Sequence, residues 1–290
     1  MTIQHISTGR RMKDRFVRVL VYLAFALAVV PLVSVLWLVI SNGMARFDLE
    51  FLTHSMRNIG ARDAGGGAYH AIIGTLEQIL LASAISVPIG LFTAIYLVEY
   101  GNGGRLSRAI SFFVDVMTGV PSIVAGLFVL AFWILFLGLP YSGFAGAMAL
   151  SILMMPTVVR SAEEMLRLVP NDLREASYAL GVAKWRTIVK VVLPTAFTGI
   201  VTGVMLAVAR VAGETAPLLL TVFFTDSINN DPFNGPQMGL PLLVFDQAGR
   251  PSDTAIDRAW AGALTLILIV MLLNLVARLI AWWRSPARGR

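Results

Sequence analysis

Five stretches of this chain carry no Asp, Glu, Lys or Arg at all: Val19–Ile40, Gln78–Val98, Val116–Val159, Val191–Ala209 and Ala259–Ala277. A helix rises 1.5 Å per residue, so roughly 20 apolar residues cross a hydrocarbon core of about 30 Å. The Val116–Val159 stretch is long enough for two crossings, and "GLPYSG" (Gly138–Gly143) supplies the turn residues that would separate them. The pattern predicts an all-α polytopic membrane protein with six spans, at 17–40, 71–98, 106–138, 143–162, 191–220 and 257–282. Composition agrees, with 57% hydrophobic and only 14% charged residues, where soluble domains carry about a quarter charged. The first apolar run follows "GRRMKDRFVR" as a signal peptide would. It is too long for an ordinary h-region, however, and "SNGMARFD" is a poor cleavage site, so an uncleaved span is expected.

The inventory of reactive side chains argues against an enzyme. There is no cysteine, hence no disulfide, thiolate or iron–sulfur chemistry. His5, His54 and His70 lack metal-ligand spacing, so no metal is expected. Lys13, Lys184 and Lys190 are the only lysines, and none closes a GxxxxGK[ST] phosphate loop. HExxH and GxSxG are absent as well. No cofactor is expected in the chain.

Basic residues fall asymmetrically across the six spans. Seventeen of the 23 Lys and Arg lie at the side of the termini, five at the other, and Arg210 is the one left over. Basic loops remain in the cytoplasm, which places both termini inside. The segments are then a cytoplasmic stretch 1–16, a first span 17–40, a periplasmic loop 41–68, a core 69–283 and a cytoplasmic tail 284–290. Residues 222–256 are periplasmic on the same count. The net charge of +6 thus reflects topology, and nucleic-acid binding is not expected.

The longest inward loop lies within 163–194. Pro170-Asn171 can begin a helix with Asn171 as N-cap, and Asp172 and Glu175 suit the positive end of its dipole. Leu173, Ala176, Ala179 and Leu180 form an apolar face at helical spacing. Gly181 is a left-handed terminator. This short helix either packs on its own protein or docks into a groove on a partner. A second amphipathic segment, Lys184–Val192, follows, and Pro194 opens the next span.

Two spans carry unusual features. In "TGVPSIVAG", Pro121 lacks an amide proton and Gly119 is permissive, so the third span should break there. A half-helix restarting near Ser122 would aim amide protons into a cavity and favour anions; a packing kink with no ligand is the alternative. In the fifth span, Gly199, Gly203, Ala207, Arg210, Gly213 and Pro217 share one face, and the Gly-x3-Gly pair admits a close helix. Arg210 and Glu214 lie on or beside that stripe, one turn apart. Ionisable groups at such depth are functional candidates, although a mutual ion pair would also explain them. Glu77 and Asp115 lie about two turns inside their spans, where snorkelling is plausible.

Several of these stretches resemble one family. "EAS-x3-G-x9-V-x-LP", Glu175–Pro194, is similar to the EAA loop of bacterial ABC-importer permeases, departing only in Ser177 for Ala and Val191 for Ile. "GVPSIVAGLF", "ARVAGETAPLLLT" and "FNGPQMGLPLLVFD" resemble the PstA family of phosphate permeases, and the likeness covers residue 70 to the end. It implies a type I ABC-importer permease of MetI-like architecture in the bacterial plasma membrane. The implied partners are a second permease PstC, two copies of the ATPase PstB, the periplasmic phosphate-binding protein PstS, membrane lipid and inorganic phosphate, with ATP used by the ATPase alone. Permeases for molybdate, sulfate or phosphonate, or a stand-alone secondary transporter, are the neighbouring readings. The expected ATPase-coupling residues are Glu175, Ala176, Ser177, Leu180 and Gly181. The expected substrate-pathway residues are Ser122, Arg210, Glu214 and Thr215, with helix breaks at Gly119, Pro121 and Pro217.

Overall fold

The computed structural model describes residues 8–283; the start of the 1–16 segment and the whole 284–290 tail lie outside the described residues. Twelve α-helices are present among the described residues: α1 Thr8–Gly43, α2 Leu49–Thr53, α3 Tyr69–Ile95, α4 Arg105–Thr118, α5 Ser122–Val129, α6 Gly143–Arg167, α7 Asn171–Ala179, α8 Lys184–Thr187, α9 Leu193–Ala212, α10 Ala216–Thr221, α11 Leu240–Ala248 and α12 Asp253–Trp283. Wider π-helical turns extend α3 (Tyr96–Tyr100) and α5 (Leu130–Phe136) and join α8 to α9 (Ile188–Val192). Five helices are long and apolar enough to cross a membrane, and the bent α4–α5 pair makes a sixth if it counts as one span.

The bundle is organised around α6. Two-thirds of its most apolar window is buried (67%), against 6% for α1, so α6 is the hub and α1 the periphery. The sequence "GFAGAMALS" explains the hub, because small residues let several helices approach at once. A side chain at Gly90 of α3 would strike Val158, and one at Gly203 of α9 would strike Ser161. Ala147, Leu150, Met154 and Val158 fill the shared core with Ala82, Ala207 and Val211.

Four local expectations need correction. The third span breaks at Gly119–Pro121 as read, but its halves meet at 104°, far beyond a proline kink. The fifth span ends at Ala212 and does not reach residue 220. A Pro217 inside a continuing helix would clash with the carbonyl of Gly213, so the chain opens across 213–215. Pro217 then sits in the first turn of α10, where its missing N–H costs nothing. Pro194 does not open a span, because Lys184–Ala212 runs as one 29-residue helix. The π turn immediately before it supplies the slack a proline requires. Finally, Pro170 takes the N-cap position of α7. Asn171 is the first helical residue, and its Oδ1 instead accepts from Arg174 Nη1 at 3.3 Å.

The loop between α1 and α3 is held by two arginines. Arg258 of α12 is 1% exposed. It donates to the carbonyls of Gly60, Ala61, Asp63 and Gly65 and to Gln247 Oε1. Arg46 pairs with Asp48 and with Glu50 at 3.3 Å. Asp48 caps α2 through the Phe51 amide, which, with Arg46 beside it, holds its carboxyl below the usual carboxylate range.

Candidate functional site

The α6–α9 connection carries the first cluster. Helix α7 turns one face inward and one outward. Ser177 is buried, and its Oγ lies 2.8 Å from Thr187 Oγ1. The departure of Ser177 from the family's Ala therefore adds a hydroxyl pair between α7 and α8. Arg174 is half-buried and commits every guanidinium nitrogen. Nε and Nη2 donate to Glu99 Oε1 at 3.0 and 2.9 Å, Nη2 also to Leu166 O at 2.9 Å, and Nη1 to Val169 O at 2.6 Å. Lys184 Nζ donates to the Glu99 carbonyl and lies over the Tyr100 ring.

The opposite face of α7 has no partner among the described residues. Leu180 is 83% exposed and Leu173 41%, and Asp172, Glu175, Ala176 and Ala179 are exposed as well. Packing on its own protein therefore does not account for the apolar face. Gly181 adopts φ +74°, with nothing near its missing Cβ, so backbone conformation alone selects glycine here.

The second cluster lies where α5 and α10 meet. Gly126 of α5 abuts the backbone of Pro217, so the breaks at Gly119–Pro121 and Gly213–Thr215 lead into two packed short helices. Ser122 and Thr215, at the starts of these helices, are half-buried and cap nothing. Arg210 is exposed on the surface of the chain, Gly213 is exposed and Glu214 half-buried. Neither charged side chain of this pair makes a hydrogen bond or ion pair among the described residues. The mutual ion pair, the alternative reading of these two residues, does not form among the described residues, because α9 stops at Ala212 and the Gly213 turn carries Glu214 off the i, i+4 stack. The small-residue stripe divides accordingly: Gly203 and Ala207 bury against α6, while Arg210 and Gly213 face outward. A groove of about 570 Å³ between α6, α9 and α12 continues down the exposed side of α9 past Leu206, Thr202 and Thr198.

Sequence reasoning missed three sets of contacts. Asp115 accepts from Arg160, which also binds Ser111 O at 3.0 Å and Glu163 at 2.6 Å. Arg167 reaches the same nearly buried Glu163 at 2.7 Å. The 160/163/167 spacing on one helix face signalled this part, whereas Asp115 comes from another element. Glu77 accepts from Gln237 Nε2. Around it, Gln78 donates to Gln237 O at 2.9 Å, and Thr75 Oγ1 accepts the Leu240 amide at 2.7 Å. The "FNGPQMGLP" segment is thereby locked against α3. The third set is Glu99 with Arg174. No cluster of His, Asp and Glu that could hold a metal occurs among the described residues.

The family model of binding-protein-dependent transport system inner membrane components matches residues 86–288. A phosphate transport system permease protein PstA 1 of Mycobacterium tuberculosis is 51% identical over 284 residues, covering 98% of this chain and 92% of that protein. PstA of Mycobacterium leprae is 47% identical over 95% of this chain and 90% of its own length. PstA of Pasteurella multocida is 38% identical over 93% and 95%. Among solved structures, the chain is similar to an inward-facing MetNI methionine ABC transporter, with TM-score 0.58 and 20% identity, covering 76% of this chain and 94% of that one. At that identity the likeness shows the fold alone: an ABC-transporter permease bundle. With a family model across most of its length and close relatives end to end, this multi-pass membrane chain belongs to the PstA family of binding-protein-dependent transport permeases.

Proposed function

We propose that the chain is one permease subunit of an ATP-driven phosphate importer in the bacterial plasma membrane, with both termini inside. It performs no chemistry of its own and binds no cofactor. ATP is hydrolysed by an ATPase subunit docked on α7, two copies of which serve the complex, while a second permease of the PstC kind completes the pathway and a PstS-like protein delivers phosphate. The names of the relatives supply the substrate. The observation that carries the reading is the two-faced α7: polar contacts fasten its inner side, and its outer apolar side, Leu173, Ala176 and Leu180, is left for a partner.

Arg210 is the anion-meeting residue in this reading. Its planar fork suits a tetrahedral oxyanion, and in this conformation no carboxylate among the described residues occupies it. Glu214 alone would repel phosphate. Phosphate at neutral pH keeps at least one proton, however, and that hydroxyl can donate to a carboxylate where sulfate cannot. Ser122 and Thr215 contribute hydroxyls beside the two helix starts.

ATP-driven uptake of radiolabelled phosphate by proteoliposomes holding the reconstituted complex, with molybdate, sulfate and phosphonate as competitors, tests the assignment. Phosphate uptake that requires ATP and resists the competitors is the expected result. Preferential uptake of another oxyanion, or uptake without an ATPase subunit, would reject it.

A further inference from the structure

Helix α7 touches the bundle through very few polar groups, and one residue collects most of them. Glu99 is 5% exposed although it is a carboxylate. It sits in the π-helical turn Tyr96–Tyr100 that ends α3. Its Oε1 receives both Nε and Nη2 of Arg174, and its backbone carbonyl receives Lys184 Nζ. Arg174 is 12% exposed and simultaneously binds two carbonyls at the end of α6. Four elements, α3, α6, α7 and α8, thus converge on one ion pair.

The same α3 is fastened at its other end. Thr75, Glu77 and Gln78 bind Leu240 and Gln237, and Gly74 abuts the Met238 carbonyl. That segment returns to the end of α10, where the Gln237 amide donates to Val222 O at 3.1 Å. Thr75 and Glu99 are 24 positions apart, which is about 36 Å of helix at 1.5 Å per residue. Helix α3 is thus a rod with polar joints at both ends, one on the docking helix and one at the far end of α10, the short helix that follows the break carrying Glu214 and Thr215. Pairs this buried hold geometry well, because separating the charges leaves each one desolvated.

We propose that Glu99 and Arg174 are positioning residues that make α7 and α3 move as one body. A displacement of α7 by the ATPase is delivered along α3 to the Gln237–Leu240 segment and the α9–α10 break. The pair does not touch substrate, and the π turn around Glu99 is the local departure from α geometry that aims its side chain at α7. This inference rests on α7 being the docking helix.

The test uses the whole complex in proteoliposomes and three readouts: copurifying ATPase, ATP hydrolysis rate, and phosphate taken up per ATP hydrolysed. Glu99→Gln should keep the first two, while uptake per ATP falls about tenfold, within the usual range for coupling between sites. Arg174→Lys, which keeps a cation opposite Glu99, should fall less. The double variant Glu99→Gln/Arg174→Gln should fall no further than the worse single, since both cut one link. Parental uptake per ATP in assembled Glu99→Gln would overturn the proposal. So would a parallel loss of membrane yield in all of these variants, which would make the pair a folding contact. Leu180→Asp, on the exposed face, separates the two readings. If ATPase copurification stays at the parental level in that variant, α7 is not the docking helix, and the strut falls with it.

Discussion

Arg174 of α7 and Arg210 in the last turn of α9 use the same side chain in opposite ways. Every nitrogen of the Arg174 guanidinium is donated to Glu99, Asn171 or a main-chain carbonyl. Arg210 donates to nothing among the described residues and lies exposed beside a broken helix. A fully committed guanidinium fixes elements relative to one another, whereas an uncommitted one held on a rigid helix is available to an anion. Residue type therefore does not separate structural from functional arginines; the count of donors left over does.

The contrast can be broken most directly at Arg210. Arg210→Gln should abolish phosphate uptake by the reconstituted complex, while subunit copurification and membrane yield stay at parental levels, because no hydrogen bond or ion pair among the described residues is lost. If Arg210→Gln instead prevents assembly, the guanidinium is a structural group like that of Arg174, and the contrast collapses. The next largest effect belongs to the docking helix. Gly181→Leu forces a branched residue to φ +74°, a strain of roughly 1–2 kcal/mol, and should strip the ATPase subunit from purified complexes without loss of the permease itself. Glu175→Lys should weaken the same copurification, since Glu175 lies on the exposed side.

Smaller effects sharpen the picture. Glu214→Gln should preserve assembly and lower the uptake rate. With the delivery protein bypassed, it should also let sulfate compete better at the permease step; an unchanged rate and unchanged sulfate inhibition would remove Glu214 from the pathway. Ser177→Ala restores the residue of the family pattern and deletes one buried hydroxyl pair. Thr187 Oγ1 still donates to Ala183 O in its absence, so the loss should be about 0.5–1.5 kcal/mol. That is a small shift in the thermal unfolding of the detergent-solubilised complex, with transport intact.

Some of this was legible in the chain alone. The uncharged runs announced the long helices because the bilayer requires them, and "EAS…G" announced α7 and its glycine because local dihedrals do not depend on distant residues. The break at Pro121 was equally local. The ties that give those elements purpose were not visible. Glu99 meets Arg174 across 75 positions, Asp115 meets Arg160 across 45, and Glu77 meets Gln237 across 160. A lone carboxylate in an apolar run looks the same in sequence whether it snorkels, pairs or binds.

The sequence by itself therefore determined where the long apolar helices lie, the break at Gly119–Pro121, the amphipathic helix α7 and the need for glycine at 181. Each follows from hydrophobic length, helical period or a backbone dihedral, all of which act over a few residues. Tertiary structure alone decided the 104° angle at the third span. It also decided which charged groups are committed and which are bare. Those outcomes depend on which helices α6 brings together, and burying a charge or a proline in an apolar bundle is tolerable only when a partner from elsewhere in the chain, or an opened backbone, meets it there.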